Sequence, residues 1–260
     1  MPTKRTNALL KTGLVLLMAW TVVPALAQTR YWTGGHGDWS DADHWSLTSG
    51  GPGGAGAPRA TDDAVIEGPV RVRIQGNATC KDLDVRSAEV RVEGAASAEL
   101  VVAGSMTLPV GAQWSYQGRT RFTVRRQGVE LHLRGVRMHG DLVFEGTGTW
   151  SLLSDLVVDG QDVVLKEGTL ITNGNLLQAR ALEFEGRGTK RLIAGRSIVM
   201  LSELPSMAMA RQVVEPGASV LSVNGQPVAW DVPPVGDAQS DRDINVCGTG
   251  PGQKIGRAHV

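Results

Sequence analysis

Residues Leu142-Val-Phe-Glu-Gly-Thr-Gly-Thr149 return as Leu182-Glu-Phe-Glu-Gly-Arg-Gly-Thr189, identical at six of eight positions and forty residues apart. Self-similarity at a fixed interval restricts a chain to architectures in which one short unit stacks on the next. Half that interval recovers weaker copies. The apolar-x-apolar pairs Leu83/Val85, Leu100/Val102, Phe122/Val124, Leu142/Phe144, Val163/Leu165 and Leu182/Phe184 follow one another by 17, 22, 20, 21 and 19 residues. A second row runs through Met106/Leu108, Val129/Leu131, Trp150/Leu152, Leu170 and Leu192. A third runs through Val136, Leu156/Val158, Leu176 and Ile198/Met200.

About twenty residues per repeat, with three short strands in each, predicts a right-handed parallel β-helix over residues 61–205. Alternation then puts Val129, Leu131 and Leu133 inside and Glu130, His132 and Arg134 outside. Phe144 and Trp150 take inward positions, while Trp114 and Trp230 fit either side. Gly128, Gly135, Gly140, Gly146, Gly148, Gly160 and Gly168 fall between strand cores, where corners are expected. One rung buries too few side chains to offset the entropy of ordering it, so such a coil is stable only when stacked. An antiparallel β-sandwich is the alternative. It uses the same strands and turns but gives no reason for the twenty-residue self-similarity.

Stacked rungs leave unpaired strand edges at the ends, and such edges invite aggregation. A cap is therefore expected before the first rung. Tyr31, Trp32, Trp39 and Trp45 supply large apolar area there, and the Gly-rich stretch Gly50 to Gly56 joins residues 28–60 to the repeat. The same three tryptophans, Trp32, Trp39 and Trp45, are also candidates for stacking on sugar rings. Asp38, Asp41 and Asp43 crowd this segment beside His44 and are weak candidates for calcium, which takes clustered carboxylate oxygens. Their spacing lacks the frame of a calcium loop, and turn capping is the plainer expectation.

Acidic and basic residues balance at 26 each, which argues against nucleic acid as a partner. The two cysteines, Cys80 and Cys247, are too few for a zinc site without histidines, and His36, His44, His132 and His139 lack ligand spacing to them. Cys80 lies in a strand-like stretch, where a small buried hydrophobe is the expectation and a disulfide with Cys247 the alternative.

Catalysis on a β-helix needs acid and base groups within reach of one bond on neighbouring rungs. Aligning the repeats gives an outward row of Asp84, Val101, Thr123, Val143, Val164 and Glu183, which is mostly apolar or neutral. Glu145 and Glu185 fall two rungs apart with Lys166 between them, and cross-strand charge pairing accounts for that ladder. No catalytic residue, no cofactor and no metal site is assigned.

The ends carry separate signals. Lys4, Arg5 and Lys11, the apolar run from Gly13 to Val23, and Ala25-Leu26-Ala27 read as a cleavable signal peptide over 1–27. The run is too short for a bilayer span, and no later segment would cross one. Residues 206–253 are expected to be linker or the start of a further domain, with a break at Pro233-Pro234. Lys254-Ile-Gly-Arg-Ala-His-Val260 can be back-translated into a common sequencing-adapter sequence, so residues 254–260 are expected to be an artefact on a longer protein.

The opening pattern Trp-x-Gly-Gly-x-Gly-x-Trp-Ser-Asp-x-x-x-Trp, over Trp32 to Trp45, is followed by Gly50-Gly-x-Gly-Gly-Ala-Gly-x-Pro58 and Asp62-Asp63. With Phe144 to Leu153 and Glu167 to Gly174, it resembles the N-terminal solenoid region of large secreted surface proteins of Bacteroidetes, over roughly residues 31–200. The resemblance implies a non-enzymatic, adhesin-like module at the outer cell surface, of the kind found in gliding-motility adhesins exported by the type IX route. Its partners would be glycans or other surface proteins. A polysaccharide-binding or polysaccharide-degrading β-helix is the alternative.

Overall fold

The computed structural model describes residues 27–206 and 211–230; the signal-peptide, Cys247 and adapter readings lie outside the described residues. The described chain is all β, without an α-helix, and forms a parallel β-solenoid of about 7 turns and about 22 residues per turn. No helix among these residues is long and apolar enough to cross a membrane.

Each full rung contributes to three faces. The first face stacks Asp63–Ile66, Leu83–Val85, Met106–Thr107, Val129–His132, the ends of Leu142–Leu152 and Val163–Ile171, then Lys190–Ile193 and Gln212–Glu215. The second face stacks Arg71–Ile74, Arg91–Gly94 and Gln113–Tyr116, then Arg137–Met138, Leu156–Val158, Leu177–Ala179, Ile198–Leu201 and Val220–Val223. The third face stacks Asn77–Cys80, Glu99–Val102, Arg119–Phe122, the starts of Leu142–Leu152 and Val163–Ile171, and Leu182–Phe184.

The strands form because apolar and polar residues alternate, and stacking in register turns that alternation into columns. The clearest interior column is Cys80, Val102, Phe122, Phe144, Leu165 and Phe184. Phe122 and Phe144 stack at 5.0 Å, and Trp150 meets the edge of Phe144 at 5.2 Å. Outside, Glu130 is exposed and His132 half-buried, as alternation requires. Trp150 and Trp114 are core residues, and half-buried Trp230 packs against the core with its indole N–H donating to Ser219 Oγ at 3.1 Å.

The register corrects the first and third apolar rows at three places. Leu83/Val85 belongs to the first face, so Ala78/Cys80 opens the third-face column in its place. Phe122 pairs with Val102, so the matching residues on that strand are Thr120/Phe122 rather than Phe122/Val124. On the second face Leu177 and Val199 point inward, whereas Leu176 is half-buried and Ile198 and Met200 are exposed. The apolar runs Leu176-Leu177 and Ile198 to Leu201 carry no alternation to fix the parity, and a one-residue slip exchanges the two faces of a strand.

The glycines divide into two kinds. Gly128, Gly135, Gly160 and Gly168 have positive φ, but Gly140, Gly146 and Gly148 do not. Gly146 and Gly168 lie inside long strands that bend from the third face to the first. A Cβ at Gly146 would strike the Val124 carbonyl, and one at Gly168 the carbonyl of Gly146. Close approach between rungs therefore demands glycine there.

The solenoid starts before residue 61. Thr29–Trp32 pairs in parallel with Asp63–Ile66, and Gly37–Asp38 pairs with Arg71–Ile74, so the tryptophan segment supplies a partial first rung. The chain then turns through a 3₁₀ helix at Ala42–His44 and returns as Trp45–Ser46, antiparallel to Thr29–Trp32. At the other end Gln226–Val228 runs antiparallel to Val220–Val223 across an Asn224-Gly225 turn with both residues at positive φ.

Candidate functional site

The tryptophan segment is a packed seal. Trp32, Trp39 and Trp45 are 4%, 3% and 0% exposed. Trp45 meets the edges of Trp32 at 5.1 Å and Trp39 at 4.9 Å, and its indole N–H donates to the Trp39 carbonyl at 2.7 Å. His44 stacks flat on Trp32 at 4.9 Å and hydrogen bonds the Thr33 carbonyl at 2.9 Å. Gly37 leaves the space this imidazole fills. A sugar platform needs ring area open to solvent, so burial rules against that role for the three rings as they stand.

The aspartates of this segment diverge. Asp38 pairs with Arg73 at 3.1 Å, while Asp41 caps the 3₁₀ turn by accepting the Asp43 backbone N–H at 3.0 Å and faces His44 at 3.8 Å. Among the described residues no group of three or more His, Cys, Asp or Glu side chains is gathered so that it could hold a metal ion. Asp62 is buried and accepts the backbone N–H groups of Gln28 and Arg59, both at 3.1 Å, with the buried Arg30 guanidinium 3.7 Å away. Arg30 also donates to the Ala55 carbonyl, tying the Gly-rich connection to the first rung.

Cys80 lies fully buried in the third-face column, where burial pushes its thiol far above the usual range. It therefore stays protonated and unreactive.

The strongest concentration of chemistry lies on the outside of the third face. A cleft of about 630 Å³ is lined by Arg121, Thr123, Arg125, Glu145, Thr147 and Glu167, with Val101 and Gly146 beneath them. Arg121 donates to both carboxylate oxygens of Glu99, at 2.9 and 3.2 Å, and lies 4.0 Å from Glu145. This forked contact, ahead of the cost of burial, holds the Glu99 carboxyl below its ordinary range. A second cleft of about 490 Å³ on the same face is lined by Asn77, Glu99, Gln117, Arg119, Asp141 and Gln161 among others.

The register here corrects the expected ladder. Glu145 lies beside Glu167, because the strands shift past each other after Phe144. Lys166 falls in that shift and pairs with Glu185 at 3.6 Å. Asp84 belongs to the first face and Arg121 takes the place assigned to Thr123. Val143 and Val164 do lie on the outer parity but are 2% and 7% exposed, a degree of cover that neighbouring long polar side chains can supply through their stems.

Asp162 and Glu183 were not expected together. Burial raises the Asp162 carboxyl, with Arg180 pulling against it and Asp141 adding to it. Burial also raises Glu183, helped by the charges of Asp162 and Glu185. Asp162 sits at a corner before its strand, outside any apolar-x-apolar pair. No signal in a single sequence would have placed it.

Comparison of the chain with protein-family models, with curated proteins and with solved structures gives no significant match in any of the three. The class that fold and surface define is a parallel β-solenoid with polar clefts on one face.

Proposed function

We propose that this chain is a non-enzymatic structural module of an exported or cell-surface protein, an adhesin-like spacer whose third face meets glycans or other surface proteins. One observation carries the reading: outward charges are tied from rung to rung. Glu67 binds Arg86, Glu99 binds Arg121, Arg137 binds Asp159, Arg180 joins Asp162 to Glu203, and Arg191 binds Glu215. Apart from the contact to the buried Asp162 carboxylate, these are exposed pairs that stabilise by only about 0–1 kcal/mol each. Their repeated placement fits a role in fixing rung register along a stiff rod, whereas a reaction centre would gather charges at one point.

A second reading rests on one feature. Glu145 and Glu167 are in register on adjacent strands, ~4.8 Å apart at the backbone, within a cleft. Paired carboxyls about 5–5.5 Å apart serve retaining glycosidases. The deciding experiment incubates the protein with neutral and acidic polysaccharides while following both binding and new chain ends. The module reading expects retention on a polysaccharide without cleavage. Chain ends that accumulate, and cease to do so in Glu145→Gln and Glu167→Gln, would establish the second reading instead.

A further inference from the structure

On the second face, next to the tryptophan seal, a cleft of about 380 Å³ is lined by His36, Arg71, Arg91, Gln113 and Glu89, with Val70 among the apolar residues at its base. The polar residues come from successive rungs. Arg71, Arg91 and Gln113 occupy one outward column in register, ~4.8 Å apart at the backbone. His36 continues it, since Gly37 pairs with Val72.

Two arginines directly abreast contradict the pairing seen elsewhere on this surface, because like charges in register repel. Nearby carboxylates offset this only in part. Glu93 lies 3.8 Å from the Arg71 Nε, beyond hydrogen-bond range. Glu89 lines the cleft without coming within ion-pair distance of either guanidinium among the described residues. Neither Arg71 nor Arg91 donates a side-chain hydrogen bond among the described residues, so both forks keep their donors available. His36 accepts the Arg71 backbone N–H through Nδ1 at 3.0 Å. That bond places the proton of the neutral ring on Nε2, as a further donor.

We infer that this column is an oxyanion site: the Arg71 and Arg91 guanidinium forks, with His36 Nε2–H and the Gln113 amide, hold a sulfate, phosphate or carboxylate group. Arginine forks match the geometry of such groups, and the cleft is within the size range that accepts a sugar-sized ligand. The group could arrive on an acidic glycan or as a free inorganic anion. The site is separate from the third-face clefts and stands whether or not those bind anything.

The test titrates the full chain with a sulfated dextran oligosaccharide, its unsulfated counterpart and inorganic sulfate, at low and physiological salt. Binding of the sulfated oligosaccharide, weakened about tenfold or more in Arg91→Gln and strengthened in Glu89→Gln, is the expected result. Arginine-dependent binding of inorganic sulfate alone would support the same site with a free anion as its source. Failure of both the sulfated oligosaccharide and inorganic sulfate to bind overturns the inference. So does binding that Arg91→Gln and Glu89→Gln leave unchanged while their melting temperatures match the parent protein.

Discussion

The two ends of the described solenoid both finish with an antiparallel strand, yet they are built from opposite materials. At the N-terminal end, Trp45–Ser46 folds back on the first strand and carries a wholly buried tryptophan into the core. Arg30 and Asp62, 3.7 Å apart, are buried at the same end. At the C-terminal end, all three residues of Gln226–Val228 are exposed, and Ile198 and Val220 stand in solvent beside them. Antiparallel reversal completes hydrogen bonds in both places, but among the described residues the first end buries three tryptophans whereas the second has only the half-buried Trp230 against the core. Pro227, which has no N–H, lies in that outer strand, a placement that discourages further pairing.

The comparison can be broken by substitution. Phe144→Asp gives the interior reference: an unpaired charge in the column between two ends should cost more than about 4 kcal/mol and melt the neighbouring rungs. Trp45→Ala should cost about 3–5 kcal/mol through cavity formation, measured by chemical denaturation. Trp230→Ala, at the half-buried end, should cost well under half as much. Equal losses would mean the two ends are energetically alike.

A smaller effect concerns pH. The Asp162 and Glu183 carboxyls are raised in the folded state, so their contribution to stability is present below the ordinary carboxylate pKa of about 4 and is lost as pH rises through the raised values. Glu99 has the opposite sign: its contribution is present above the ordinary value and fades as pH falls through the lowered one. Glu183→Gln should therefore melt slightly above the parent protein at neutral pH, with the gap closing in acid. A gap that widens in acid would reverse the assignment. The smallest effect is expected for His132→Asp on the outer surface, within about 0.5 kcal/mol. A loss comparable to that of Phe144→Asp would reject the assigned alternation.

The repeat made the solenoid legible because Phe144/Phe184 and their neighbours keep apolar parity over many rungs. Parity failed where both neighbours are apolar, as at Leu176-Leu177. It also failed where strands shift, as at Glu145, whose neighbour is Glu167 and not Lys166. The tryptophan segment was legible as a seal but not as a rung. The Gly-rich connection lengthens the step from Thr29 to Asp63 well beyond one repeat, which hides the pairing from any fixed period. The oxyanion column stayed hidden for a similar reason: His36 reaches Arg71 across that same irregular step.

Amide hydrogen exchange followed residue by residue tests the difference between the ends most directly. Amides of Thr29–Trp32 and Trp45–Ser46 should exchange through the same slow openings as the central rungs, while those of Val220–Val223 and Gln226–Val228 exchange much faster through local opening. Fast exchange throughout the tryptophan segment, equal to that of Gln226–Val228, would contradict its role as the seal of the solenoid.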